Sequence, residues 1–272
     1  MQVISSKDNE LIKHIKKLKD KKYRDINNEY IIEGIKLIEE AINENAKIKQ
    51  IVICDDCEKT SSIPKELMYE IAKQECIYVT SKLFENLTDV ANPQGILAIV
   101  EKNTIKTKPE EEKQEIDYSQ DIIVALDNIQ DPGNLGTILR TVDSVGLNQI
   151  ILSKGTADCY NPKVVRSTMG AIFRVKIIEC DNLKHTLEEI QKNKFEIVVT
   201  SLQTKNSIYD VKYNKKVIVI GNEANGVEKE IQKMADKKVK IPMLGKTESL
   251  NASVATGIML YEYVRQKLNK EI

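Results

Sequence analysis

The chain has 272 residues, 41% of them hydrophobic and 30% charged, with 41 Lys and Arg against 41 Asp and Glu. That composition excludes a disordered or collagen-like chain, and the length points to two domains rather than one enlarged core. No apolar run approaches the roughly 18 residues of a membrane helix, and the first residues lack the apolar stretch of a signal peptide. Five cysteines, an odd number thinly spread, point to reduced thiols in a cytoplasm. A net charge of zero argues at first against a nucleic-acid binder, but the charge is unevenly placed. Residues 1–24 carry eight bases and three acids, residues 25–102 eight and fifteen, and residues 121–272 carry 22 and 18. Only five bases are arginine: Arg24, Arg140, Arg166, Arg174 and Arg265. A lysine-rich chain keeps arginine where a planar fork is needed.

In chain order, the spacing predicts a basic helix over about 7–22, then a strand in YIIEG (30–34) and a helix in IKLIEEAI. Strands follow at 49–54, CIYVT and 95–100, separated by helices in PKELMYEIAKQ and SKLFENL, which makes a small α/β domain. Residues 103–120 are polar, contain Pro109 and show no period, as a linker does. Beyond it, continuous apolar runs at 122–127, 149–153, 174–178, 196–201, 217–221 and 238–242 predict buried parallel strands. A long helix over about 253–268 ends the chain. The division is therefore 1–102, a linker over 103–120, and 121–272. Open parallel sheets bind ligands beyond the carboxyl ends of their strands, which directs attention to the loops that follow them.

The first loop, LDNIQDPGNLGTILRT, is expected to turn at Asp131–Asn134, with Asn134 as the N-cap of a helix starting near Leu135. Gly136 allows close backbone approach, and the scarce Arg140 follows a turn later. The second, VIVIGNEANGVEKEI, sets Gly221, Glu223 and Gly226 between a strand and a helix, without the third glycine of a dinucleotide fingerprint. The third, KIPMLGKTESLNASVA, contains GKT at 245–247, but Lys240 stands where a phosphate-binding loop needs glycine. What remains there is a hydroxyl-rich turn through Thr247, Glu248, Ser249, Leu250 and Asn251. Taken singly, each loop reads equally well as a turn with a helix cap. Cys54 and Cys57 form a CxxC with no second pair to complete a zinc site. His14 and His185 lie outside the loops, so no metal site and no Ser-His-Asp set is expected.

Together, NxGxxxR at Asn134, Gly136 and Arg140, GxExxG at Gly221, Glu223 and Gly226, and IPMxGxxxSLNxSVA from Ile241 to Ala255 resemble the three motifs of the SpoU/TrmH family, in the SPOUT superfamily of RNA methyltransferases. The resemblance covers about residues 120–270. EYIIEGIKLIEEAI (29–42) and NPQGILAIV (92–100) are similar to that family's L30e-like substrate-binding domain. The resemblance implies an α/β protein with a parallel-sheet SPOUT domain, and a deep C-terminal trefoil knot where the sheet pattern alone implies an unknotted doubly wound fold. It further implies a homodimer that uses S-adenosylmethionine, without a metal, to methylate a ribose 2′-hydroxyl. The large first domain favours 23S rRNA; the alternatives are the same chemistry on tRNA, or a noncatalytic RNA-binding assembly factor.

By position, the resemblance assigns the reaction to Asn134, Arg140, Glu223, Ser249 and Asn251. It assigns the cofactor to Thr200, Ser201, Leu202, Gly221, Asn222, Gly226, Ile241, Met243, Leu250, Asn251 and Ala255. Arg140 is expected to bind the target phosphate and stabilise the developing alkoxide rather than act as a base, because arginine side chains hold their proton above about pH 12.

Overall fold

A computed structural model describes residues 3–56, 58–107 and 116–269 of the chain. It divides into two compact units, one formed by 1–102 with 158–173 and the other by 103–157 with 174–272.

The first unit is built on a five-stranded sheet: β1 (Val3–Ile4), β2 (Glu29–Glu33), β3 (Ile48–Cys54), β4 (Cys76–Val79) and β5 (Ile96–Glu101), in the order β1-β4-β3-β5-β2. β1, β4 and β3 run parallel, while β5 is antiparallel to both β3 and β2. The expected basic helix is in fact two, Glu10–Lys17 and Lys21–Asn27. Asp20 causes the break: its side chain accepts from the Lys22 amide and caps a new helix. Ile12, Ile15 and Leu18 of this element are buried with Val52, Leu97 and Ile99 of the sheet, so an i, i+3 stripe turns the lysines outward.

Residues 158–173 lie within the second domain as the sequence divides it, but they pack into the first unit. The helix Pro162–Thr168 lies against β2. Tyr160 meets Tyr30 with ring centroids 4.5 Å apart. Arg24, nearly fully buried, forks onto Asp158 Oδ2 through Nη2 at 2.6 Å and Nε at 3.1 Å. Its Nη1 donates to the Leu18 and Lys19 carbonyls at 2.8 and 2.7 Å.

The second unit carries β6 (Ile105–Thr107), β7 (Ile122–Asp127), β8 (Gln149–Ser153), β9 (Lys176–Cys180), β10 (Glu196–Thr200), β11 (Lys216–Gly221) and β12 (Lys237–Val239), in the order β12-β10-β11-β7-β8-β9-β6. Every pairing among these described strands is parallel, and β7, β8 and β11 are buried throughout, as helix-covered parallel strands must be. β6 falls inside the stretch read as a linker; residues 108–115, with Pro109, lie outside the described residues. β9 starts two residues later than the apolar run suggested, and the Arg174 side chain before it forks onto Asp143. β12 ends at Val239, because Lys240 pairs instead with the segment after β10, donating to the Asn206 carbonyl and accepting from the Ile208 amide, both at 3.0 Å. The last helix, Ala252–Leu268, packs on the helix Pro132–Ser144 and on β11. Among the described residues no helix is long and apolar enough to cross a membrane.

Candidate active site

β12, β10, β11 and β7 are neighbours and parallel, so their carboxyl ends share one edge of the sheet. The segments after Asp127, Thr200, Gly221 and Val239 therefore emerge side by side. Three of these, after Asp127, at Gly221 and after Val239, carry the motifs.

The first loop departs from expectation in a useful way. The helix begins at Pro132, with Asp131 as its cap accepting from the Asn134 amide at 2.8 Å. Proline's fixed φ and missing amide suit that first position. Asn134 is therefore inside the first turn, not the cap, and its side chain is free to reach sideways. It donates through Nδ2 to Glu223 Oε1 at 2.9 Å and accepts through Oδ1 from Asn251 Nδ2 at 2.8 Å. One buried asparagine thus joins all three motifs. Glu223 also accepts from the amides of Gln130 (3.3 Å) and Asp131 (3.2 Å). Partial burial alone would push its carboxyl up, but the hydrogen bonds from Asn134, Gln130 and Asp131 together outweigh it and hold the group below the ordinary glutamate value. Asn251 has a second task, because its Oδ1 caps the last helix by accepting from the Ser253 and Val254 amides at 2.9 and 3.4 Å.

Gly221 and Gly226 shape the second loop. A Cβ on Gly221 would lie 2.1 Å from the Gly226 carbonyl carbon and the Val227 nitrogen, and Gly226 sits at φ 69. Asn222 bridges Gly226 through both backbone groups, donates its side chain to the Asn128 carbonyl at 2.8 Å and accepts from the Ala224 and Asn225 amides at 3.0 Å. Its polar groups therefore brace the loop. Sequence reasoning missed Asp127, whose Oδ2 accepts from the Glu228 amide at 2.7 Å and ties the end of the second loop to β7. Burial pushes its carboxyl above the ordinary aspartate value, with the Glu228 amide opposing. The only signal was an acidic residue closing an otherwise apolar strand.

Arg140 and Ser249 do not join this network. Both are exposed, and neither has a polar partner among the described residues. The other arginines show what that means for Arg140. Three of the other four are engaged, Arg24 with Asp158, Arg174 with Asp143, with Nη2 at 2.9 Å, and Arg265 with Glu262 at 2.8 Å, whereas Arg140, like the half-buried Arg166, keeps its fork free of a carboxylate among the described residues.

Around the third loop, Ile241, Met243 and Leu250 are half-buried, while Leu202 is exposed. The amides of residues 241 and 243–250 find no acceptor among the described residues. Thr200 Oγ1 donates to the Val219 carbonyl at 3.4 Å and the Ser201 amide to the Val239 carbonyl at 2.9 Å, while Ala255 lies in the first turn of the last helix. No group of three or more His, Cys, Asp or Glu side chains able to hold a metal occurs among the described residues. Cys54 is buried and Cys57 lies outside the described residues.

The parallel sheet with motif-bearing loops at the carboxyl edge defines a class, and comparison with known proteins names it. The sequence model of the SpoU rRNA Methylase family matches residues 121–261, and that of the MRM3-like substrate binding domain matches residues 9–98. The chain is 32% identical over 96% of its length, and 98% of the relative's, to the 23S rRNA (guanosine(2553)-2′-O)-methyltransferase RlmP of Bacillus subtilis. It resembles the crystal structure of an AdoMet-bound rRNA methyltransferase from Sinorhizobium meliloti with a TM-score of 0.84, at 30% identity and 97% coverage of each chain. A solved RNA 2′-O ribose methyltransferase matches with a TM-score of 0.80 at 25% identity, over 98% of this chain and 100% of that one. The chain belongs to the SpoU rRNA methylase family, with SPOUT architecture in its second unit and a substrate-binding first unit. It is an RNA methyltransferase whose methyl donor is S-adenosylmethionine.

The residues present fit that donor. The third loop offers apolar side chains to a flat base and unpaired amides to its polar edge, and binding sites for such molecules combine these two features.

Proposed function

We propose that this chain methylates a ribose 2′-hydroxyl of 23S rRNA. The observation that carries the reading is the Asn134 junction, which locks the three motif loops into one surface and leaves Arg140 projecting unpaired beside them. The similarity to a 23S rRNA enzyme over almost the whole of both chains supports the substrate.

Bound S-adenosylmethionine supplies a sulfonium methyl, whose bond to sulfur breaks as the ribose oxygen bonds to its carbon. The chain's own residues set the geometry, since transfer needs that oxygen in line at near-attack distance. The third-loop backbone, with Thr200–Leu202 and Gly221, holds the donor; Gly226 and the braced Asn222 shape the neighbouring loop. Arg140 binds the phosphate of the target nucleotide and stabilises the charge that grows on the oxygen as its proton leaves to water. Ser249 orients the hydroxyl. Glu223 acts through Asn134 and not on Arg140, so it positions rather than reacts, and Asn251 does the same from the last helix.

The reading includes a homodimer and a knotted C-terminus. Val254, Tyr261 and Leu268 are exposed at seven-residue intervals along the last helix, an apolar stripe of the kind that a second copy covers. The knot is supported by the strand order: the chain reaches the sheet edge at β12, then returns past β10 to place its last helix against β11. On this reading the substrate-recognition and catalytic domains are 1–102 and 121–272.

Mapping 2′-O-methyl marks in total RNA with and without the gene tests the function. We expect one mark to vanish from 23S rRNA; loss of a mark in tRNA alone would overturn the substrate.

A further inference from the structure

We propose that the paired helices Glu10–Lys17 and Lys21–Asn27 are the RNA-gripping face of the first unit, where Lys16, Lys17, Lys21 and Lys22 contact phosphates of an unpaired stretch and Tyr23 stacks on one of its bases. The inference rests on reading the chain as an RNA methyltransferase, and it names the surface of the first unit that holds the substrate.

The lysines of this element fall into two groups. Lys13 is paired with Glu10 at 3.0 Å and Lys19 with Asp89 at 2.7 Å. Lys16, Lys17, Lys21 and Lys22 have no carboxylate partner among the described residues. Helix stability explains only half of them. Lys16 and Lys17 stand in the last turn of the first helix, where positive charge complements the macrodipole. Lys21 and Lys22 open the second helix, whose first turn has no acid and whose start carries only the capping Asp20. There a positive charge opposes the dipole, so something other than the helix accounts for them.

An aromatic ring lies among these charges. The Nζ atoms of Lys17 and Lys22 are each 5.8 Å from the centroid of the half-buried Tyr23 ring. Ile26, one turn further along the same helix, is 66% exposed. Cations flanking an aromatic ring with an apolar shoulder match a strand whose phosphates and unstacked bases alternate. A base-paired duplex offers phosphates but no base face, and an acidic peptide offers no ring for Tyr23.

The test uses the full chain and a short fluorescein-labelled oligouridylate, with anisotropy followed across a salt series. Replacing Lys17, Lys21 and Lys22 together by glutamine should flatten the slope of log affinity against log salt by about two, at about 0.7 per single-strand phosphate contact. Tyr23→Ala should weaken binding about 5- to 100-fold, while Tyr23→Phe keeps it. S-adenosylmethionine affinity, measured by calorimetry, should be unchanged in all three. An unaltered salt slope in the triple variant, or Tyr23→Ala binding as tightly as the parent, overturns the assignment. If the parent chain itself neither binds the probe nor methylates a 23S rRNA transcript, the functional reading fails instead.

Discussion

Asn134 faces a donor with one end of its amide and an acceptor with the other, so the orientation of that single group is fixed from both sides. Arg140, on the same helix, has no such restraint. Arg140→Lys keeps the charge and loses the fork, and on the proposed role turnover should fall about 100-fold, the size of losing one preorganised donor, with donor affinity unchanged; turnover near the parent's would show that the fork is not needed. A second residue-scale expectation concerns Asp127. Its carboxyl is raised by burial, so the folded chain holds that proton more tightly than the unfolded chain does. Its contribution to stability is thus fully present below the ordinary aspartate range and is lost as pH rises through the folded value. Asp127→Asn can still accept from the Glu228 amide without carrying charge. The melting temperature of the variant relative to the parent should therefore be higher at neutral pH than near pH 4, the ordinary carboxylate range. A difference that does not change with pH would contradict this.

At the scale of elements, two positions separate folding from function. Asn251 caps the last helix with its oxygen and reaches Asn134 with its nitrogen. Asn251→Asp keeps the cap but turns an acceptor toward the Asn134 oxygen, so we expect a melting temperature close to the parent's and a large loss of turnover. Asn251→Ala should lose both, with about 1 kcal/mol of stability going with the cap. Gly221→Ala has no such division. Its Cβ would overlap backbone of Gly226 and Val227, which no rotamer change relieves, and a loss of about 3 kcal/mol, read by denaturant unfolding, should accompany loss of donor binding. The strands were legible because helix-covered parallel strands are apolar without interruption. The start of the helix at Pro132 was not, since Asp-Pro-Gly-Asn serves a turn as readily as a first helical turn, and the choice is made by the Asp131 cap. The motif residues could be picked out singly, but their junction at Asn134 joins side chains as many as 117 positions apart, which no local pattern encodes.

At the scale of the whole molecule, the zero net charge is a sum of unlike parts: the acidic residues 25–102 mask a basic start and a basic second half. The first unit is also discontinuous. Arg24 and Asp158, 134 positions apart, meet in its interior, and neither length nor hydrophobic period announces that pairing. Arg24→Ala would leave Asp158 without its cation and the Leu18 and Lys19 carbonyls without donors. We expect a loss of about 3–5 kcal/mol, measured by denaturant unfolding; a change under about 1 kcal/mol would show the pair to be dispensable.

Residues 158–173 belong to the methylase match by sequence and to the substrate-binding unit by packing. A recombination event that exchanged residues 1–102 alone would deliver a unit lacking the helix behind β2 and the partner of Arg24. New substrate preference can therefore be grafted onto this scaffold only by moving two separate pieces of chain together, or by keeping intact the residues with which 158–173 packs. The chain's inheritance is constrained at that seam, and relatives that diverge in the first unit should carry matching changes in a short stretch in the middle of the other.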